Sequence, residues 1–199
     1  MKVCTVDVST RLPLINDYSK LLHLTALTSD DSKLYCAIMA EPACIRHVGK
    51  LLPQIEAENN LSVAIKLNNQ RPLTSIYLRV SLLSSGQNIG IASINQLNIE
   101  NKSADIGRML LPRWQGQGLG SELSRMLIKW LAAEMGVINF TKHIRDGNAA
   151  AIKSALKLGF SETGTLVTTG KEHTTRYQLT FSQECARYLK ANAEPDTKV

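Results

Sequence analysis

The residues best suited to chemistry form one short run, Gln115-Gly116-Gln117-Gly118-Leu119-Gly120-Ser121, which ends an apolar strand pattern and opens a helical one. Glycine lets the chain turn tightly and lets backbone N–H groups approach a ligand with no side chain in the way. A helix directly behind such a turn adds unpaired N–H donors and the positive end of its dipole. The chemistry on offer is phosphate binding. The run is not a nucleoside-triphosphate loop, because no Gly-Lys-Ser/Thr follows it. Its glycine spacing also departs from the dinucleotide fingerprint, and no acidic partner stands where that fingerprint needs one.

Other residue types exclude more than they offer. The cysteines, Cys4, Cys36, Cys44 and Cys185, form no C-x-x-C pair and have no histidine at metal-ligand spacing. They read as buried or idle thiols in a reducing cytoplasm. His23, His47, His143 and His173 are scattered, so no metal site is expected. The net charge of +6 over 199 residues is spread without blocks. That pattern argues against a direct nucleic-acid role and suits a polyanionic cofactor. No apolar run of about 18 residues is present, so no membrane-spanning helix is expected, and residues 1–17 do not read as a signal peptide.

The elements that must position the glycine run follow from periodicity and punctuation. Leu119, Leu123, Met126, Leu127, Trp130, Leu131 and Met135 make one apolar stripe, so a helix is predicted over Leu119–Met135, stopped by Gly136. Strands are predicted over Leu21–Thr28, Ser75–Leu83, Ile89–Ile99 and Asp105–Leu111, the later ones as an antiparallel meander. Val137–Ile144 reads as the next strand, Asn148 opens a helix that Gly159 closes, and strands follow over Ser161–Thr168 and His173–Phe181. Helices are expected over Ser32–Met39, Ala43–Val48 and from Pro53 towards Lys66, with a loop over Asn68–Pro72. Residues 1–18 lack periodicity and read as an arm or an extra strand. Ser182–Ala191 reads as a last helix, with Asn192–Val199 as a tail.

The stretch from Ile106-Gly107-Arg108-Met109 through Gln115, Gly118 and Gly120 to Glu122 resembles the cofactor-binding segment of the GNAT acetyltransferase superfamily. A second block, Asn148 with Ala151-Ile152, then Leu158-Gly159-Phe160, resembles the same family's later motif. Leu24 to Asp31, with Asp105-Ile106-Gly107 and Glu122, is similar to the ribosomal-protein N-terminal acetyltransferase subgroup. The resemblance implies an α/β fold: a mixed, mostly antiparallel central sheet of about seven strands with helices on both faces. It implies a catalytic domain over residues 20–181, with 1–19 as an N-terminal arm and 182–199 as a C-terminal helix and tail.

It also implies acetyl-CoA as co-substrate, with no metal. Acetyl-CoA would lie between the splayed fourth and fifth strands. Met109, Leu110 and Leu111 would offer backbone groups to the pantetheine arm. Gln115, Gly116, Gln117, Gly118, Leu119, Gly120 and Ser121 would cradle the diphosphate. Asn148 would meet the cofactor arm, and Lys153 and Lys157 could reach the adenosine phosphates or stay solvated. Asp105 is the first candidate for the base, with capping of the preceding turn as its structural alternative; His143 is the second. The usual proton donors are replaced: many members carry Tyr where this chain has Ala155, and the subgroup often has Ser where it has Ala151. Water, Ser154 or Tyr177 is left to protonate the leaving thiolate. The acceptor implied is a primary amine, either a protein N-terminus or a small molecule. A non-catalytic acyl-CoA sensor is the alternative from another class, and a homodimer is compatible with all of these.

Overall fold

In the computed structural model, residues 12–167 and 173–180 are described. Seven strands, β1 (Leu22–Ala26), β2 (Ile76–Leu82), β3 (Asn88–Asn98), β4 (Ser103–Leu110), β5 (Asn139–Arg145), β6 (Ser161–Val167) and β7 (His173–Thr180), form one sheet in the order β1-β2-β3-β4-β5-β7-β6. Every pairing is antiparallel except β4 with β5. Antiparallel neighbours can be joined by short turns, but a parallel pair needs a long crossover. The helices are α1 (Ser32–Met39), α2 (Pro42–Ile45), α3 (Gln54–Asn69), α4 (Leu119–Met135) and α5 (Ala149–Lys157). The crossover from β4 to β5 is α4.

Helices cover both faces, as expected. On one face α4 buries Leu123, Met126, Leu127, Trp130 and Leu131 against Ile76, Leu78, Ala92, Ile106 and Phe140 of the sheet. On the other, α1 and α3 bring Leu34, Tyr35, Ile38, Ala57, Leu61 and Ala64 together with Ile91 of β3. Neighbours Ile91 and Ala92 thus serve opposite cores, as the two-residue strand period requires. The bounds of α4 match the apolar stripe, because left-handed Gly118 and Gly136 flank it.

Three departures from the sequence reading have local causes. Residues 12–18, expected as an arm or extra strand, form a 3-10 helix whose Ile15 is 0% exposed. A turn that short leaves no periodic signal. Second, α3 runs to Asn69 and absorbs the start of the expected loop. The Asn68 side chain explains this: it donates to Tyr77 O at 2.9 Å and accepts from Tyr77 N–H at 2.7 Å, anchoring the helix end to β2. Third, β5 begins at Asn139, because the N–H groups of Ile138 and Asn139 both go to Lys102 O in the connection before it. The helix expected over Ser182–Ala191, the tail, Cys4 and Cys185 lie outside the described residues.

Candidate active site

The β4–β5 ladder is only three pairs long: Ser103 with Asn139, Ala104 with Phe140, and Asp105 with Thr141. Beyond it β4 stays with β3 as far as Gly90–Leu110, while β5 follows β7 as far as Arg145–Thr174. Past Asp105 the two central strands are therefore no longer hydrogen-bonded to each other, and a cleft opens in the sheet. Met109, Leu110 and Leu111 lie at the far end of the β4 rim. Three of the backbone groups there are already engaged, among them Leu111 O, which accepts from the Trp114 backbone N–H at 2.9 Å. Leu110 O accepts from Gln115 Nε2 at 2.8 Å and from the Cys44 thiol at 3.3 Å, and Leu111 N–H donates to Ile89 O. Burial, with Glu41 nearby, pushes the Cys44 thiol up to about 11, so it is a packed hydrogen-bond donor rather than a nucleophile.

After the 3-10 turn Pro112–Trp114 comes the glycine loop. Gly116 and Gly118 have φ of 75° and 81°, and a Cβ at either would meet nothing within 4 Å. The left-handed backbone, not crowding, is what requires glycine at Gly118. The loop glutamines fold back: Gln115 Nε2 holds Leu110 O, and Gln117 Nε2 donates to Arg113 O at 2.6 Å. Their side chains thus brace the loop against the backbone that precedes it. Ser121 and Glu122 donate to Gly118 O, whereas the N–H groups of Leu119 and Gly120 precede any intrahelical acceptor. The Trp114 indole N–H, in the turn leading into the loop, is buried without an acceptor among the described residues. An open glycine turn followed by N–H groups without intrahelical acceptors fits a phosphate ester.

At the fork, where the ladder ends, Asp105 Oδ2 lies 2.6 Å from His143 Nδ1. Asp105 sits opposite Thr141, and His143 is two residues further along β5, so both side chains project from one face of the sheet. An ionised carboxylate only accepts hydrogen bonds, so Nδ1 is the donor in this contact and Nε2 is the ring nitrogen it leaves free of Asp105. The His143 side chain is 33% exposed and that of Asp105 15%, which leaves the imidazole reachable and the acid behind it. The sequence named these two residues as separate candidates; the structure makes them a pair. Among the described residues the Asp105 carboxylate bonds to His143 and not to the preceding turn, the structural alternative for it.

Asn148 is the N-cap of α5, its Oδ1 accepting from Ala151 N–H at 3.1 Å. Lys153 and Lys157 are exposed on that helix, and Ala155 is buried in the core. Sequence reasoning missed a polar cluster on the opposite face of the cleft strands, built from Arg108, Ser124, Lys142 and Ser154. One signal was available. Ala104, Ile106 and Leu110 are the buried positions of β4, and strand alternation puts Arg108 in the same row. Among the described residues no group of three His, Cys, Asp or Glu side chains could hold a metal ion, and no helix is long and apolar enough to cross a membrane.

Residues 22–161 match the profile of the acetyltransferase (GNAT) domain family. An uncharacterised N-acetyltransferase of Schizosaccharomyces pombe is 32% identical over 80 residues, covering 40% of this chain and 42% of that protein. The matched part thus spans less than half the length of that curated relative. Among solved structures, RimL, a ribosomal L7/L12 alpha-N-protein acetyltransferase in complex with coenzyme A, superposes with a TM-score of 0.72 at 18% identity, over 83% of this chain and 97% of that one. The spermidine N-acetyltransferase of Vibrio cholerae, in complex with CoA and spermine, gives 0.69 at 16% identity, over 81% and 96%. At such identities the likeness is one of fold.

Proposed function

The chain belongs to the GNAT acetyltransferase family, and on that premise we propose that it moves acetyl from acetyl-CoA to a primary amine by direct attack. The observation that carries this reading is the β4–β5 cleft, with the glycine loop at the β4 end and the Asp105–His143 pair at the fork. Acetyl-CoA supplies the acetyl group as a thioester. The backbone of Gln115 to Ser121 and the first turn of α4 hold the diphosphate, with Lys153 and Asn148 on the α5 side. The residues gathered there fit that ligand because the loop is open at Gly116 and Gly118 and rich in donors.

His143 Nε2 takes the proton from the attacking amine, and Asp105 holds the ring in the required tautomer. This reverses the order expected from sequence, in which Asp105 came first. Among the described residues no side chain stands ready as the acid. Ser154 is engaged by Arg108 and Ser121. Tyr177 is buried opposite Lys142, on the other face of β5 from His143. Water protonates the leaving thiolate, which a thiol's modest pKa of about 8.5 permits.

A protein N-terminus is the favoured acceptor. The subgroup resemblance supports it, as does the surface beside the cleft. Arg145 Nη2 donates to Val48 O at 3.3 Å, docking on the end of β5 a segment that exposes Val48, Leu51 and Ile55. These apolar side chains suit those of a peptide, and they stand beside the exposed Lys50–Glu56 ion pair of the same segment. We place the enzyme in the cytoplasm, where Cys36 and Cys44 stay as free thiols, with no membrane or nucleic-acid partner; a homodimer is compatible with the reading.

Thiol release from acetyl-CoA, followed with N-terminal peptides and with spermidine, tests the proposal. Peptides should turn over and spermidine should not. Asp105→Asn and His143→Gln should each lower turnover by about 10²-fold or more with acetyl-CoA affinity unchanged. Binding of acetyl-CoA without acceptor-dependent thiol release would favour the sensor instead. Rates unchanged in both variants would remove the pair from the mechanism.

A further inference from the structure

Beneath the glycine loop lies a partly buried polar cluster that amine acetylation does not itself use. Arg108 leaves β4 towards α4 and α5. Its Nη1 donates to Ser124 Oγ at 2.8 Å and its Nη2 to Ser154 Oγ at 2.9 Å. Ser154 Oγ lies 3.0 Å from Ser121 Oγ, at the end of the loop. From β5, Lys142 Nζ reaches the same Ser124 Oγ at 3.2 Å and sits 5.4 Å from the centroid of the Phe160 ring. Two basic side chains share one serine hydroxyl. Among the described residues neither makes an ion pair with a carboxylate.

Burial pushes Arg108 down to about 10, which still leaves it charged at neutral pH. It holds Lys142 well below the ordinary lysine value, with the Arg108 charge adding to the effect and Asp105 opposing it. A half-buried guanidinium held only by neutral hydroxyls gains from any counter-charge that arrives.

The position of the guanidinium indicates where that counter-charge sits. A Cβ on Gly120 would lie 2.8 Å from Arg108 Nε. Gly120 belongs to the first turn of α4, so the cation abuts the positive end of the helix dipole, an unfavourable arrangement for a helix with nothing bound. Glu122, the acid of that turn, faces elsewhere: it accepts from Ser19 Oγ at 3.0 Å and lies 3.7 Å from Arg125. Helix end and guanidinium therefore concentrate positive potential on one place, the loop from Gln115 to Ser121.

We propose that Arg108 is a positioning residue for the cofactor: its half-buried charge is balanced by the diphosphate of acetyl-CoA on the glycine loop, and its bonds to Ser154 and Ser124 hold Ser121 and the first turn of α4 in the receiving geometry. The proposal rests on the reading of that loop as the diphosphate site. It also gives position 120 a second reason to be glycine, since any side chain there would displace the guanidinium.

The test is calorimetric titration of wild type, Arg108→Met, Arg108→Lys and Ser154→Ala with acetyl-CoA over a range of salt, alongside acetyl-pantetheine, the same thioester arm without phosphates. Arg108→Met should weaken acetyl-CoA about 10- to 100-fold and flatten its salt dependence. It should leave acetyl-pantetheine unaffected and keep the melting temperature of the ligand-free protein at or above that of wild type. Arg108→Lys should recover part of the loss, and Ser154→Ala should show a smaller one. If Arg108→Met does not fold, the lysine and serine variants carry the same comparison. Equal acetyl-CoA affinity in wild type and variants overturns the role of Arg108 alone. So does an equal loss for both ligands, which is what a purely structural residue would give. A wild type that binds no acetyl-CoA overturns the loop reading, and the proposal with it.

Discussion

Lys142 is 5% exposed, faced by Arg108 from β4, Ser124 from α4, Tyr177 from β7 and the ring of Phe160, with the Asp105 charge favouring its protonated form. Burial holds its pKa well below the ordinary 10.5. Between that lowered value and 10.5 the unfolded chain binds a proton that the folded protein does not, so stability rises with pH across this window. Below the folded value the whole cost of the buried amine is present; above 10.5 it is gone. Lys142→Met should therefore stabilise the protein at pH 7 by on the order of 1 kcal/mol or more, and urea melts should show the gain shrinking towards pH 10. A variant that is less stable at pH 7, by a margin that does not change with pH, would contradict this. Residues of this kind were barely legible in the sequence. Asp105 and His143 were each nameable by type, but their 2.6 Å contact depends on the register of a three-pair parallel ladder between distant strands. Arg108 stood inside the recognised motif, yet its partners Ser124 and Ser154 come from two separate helices.

Elements were far more legible, because periodicity and glycine punctuation are local. The helix α4 could be bounded from its stripe and its flanking glycines, and the strands fell within a few residues of their predicted ends. What stayed hidden was why particular glycines are needed. Gly90 of β3 has no unusual role in the sequence pattern, but a Cβ there would collide with Met109 O, and would lie 2.7 Å from Leu110 Cδ2 and 3.0 Å from Leu110 Cα. Two of those atoms are backbone, so β3 and β4 would have to part at the rim of the cleft. At Gly118 the space is open and only the φ of 81° resists a side chain. The two positions should fail differently. Gly90→Ala should cost about 1–3 kcal/mol of stability, as overpacking does, and should shift the thermal melt before any ligand is added. Gly118→Val strains the loop alone, so its larger effect should be on acetyl-CoA affinity. Melts with and without acetyl-CoA separate the two, and a Gly90→Ala protein that melts like wild type would show that the strands yield freely.

For the whole molecule, the short β4–β5 ladder leaves the two halves of the sheet tied mainly by what packs across them. The helix α4 is the principal tie, and the 3-10 segment Leu12–Tyr18 braces it. Asn16 closes the free edge of β1: its Nδ2 donates to Leu24 O at 3.1 Å, and its Oδ1 accepts from Leu24 N–H at 2.7 Å. Tyr18 donates to Glu134 at 3.2 Å and Ser19 to Glu122 at 3.0 Å, so the same segment grips α4 near both ends. Ile15, at 0% exposure, fills the space between them. A dispensable arm would do none of this. Ile15→Ala should cost about 2–4 kcal/mol, lowering the melting temperature by roughly 5–15 °C for a chain of this size. Asn16→Ala should cost about 1–3 kcal/mol by leaving two backbone groups of the edge strand unpaired. Removal of residues 1–19 should lower the melt further than Ile15→Ala, since it takes the brace and the edge cover together. Because the Ser19 contact ends on Glu122, in the first turn of α4, the truncated protein should also bind acetyl-CoA more weakly. A truncated chain with the melting temperature and acetyl-CoA affinity of the full one would return residues 12–18 to the status of an arm.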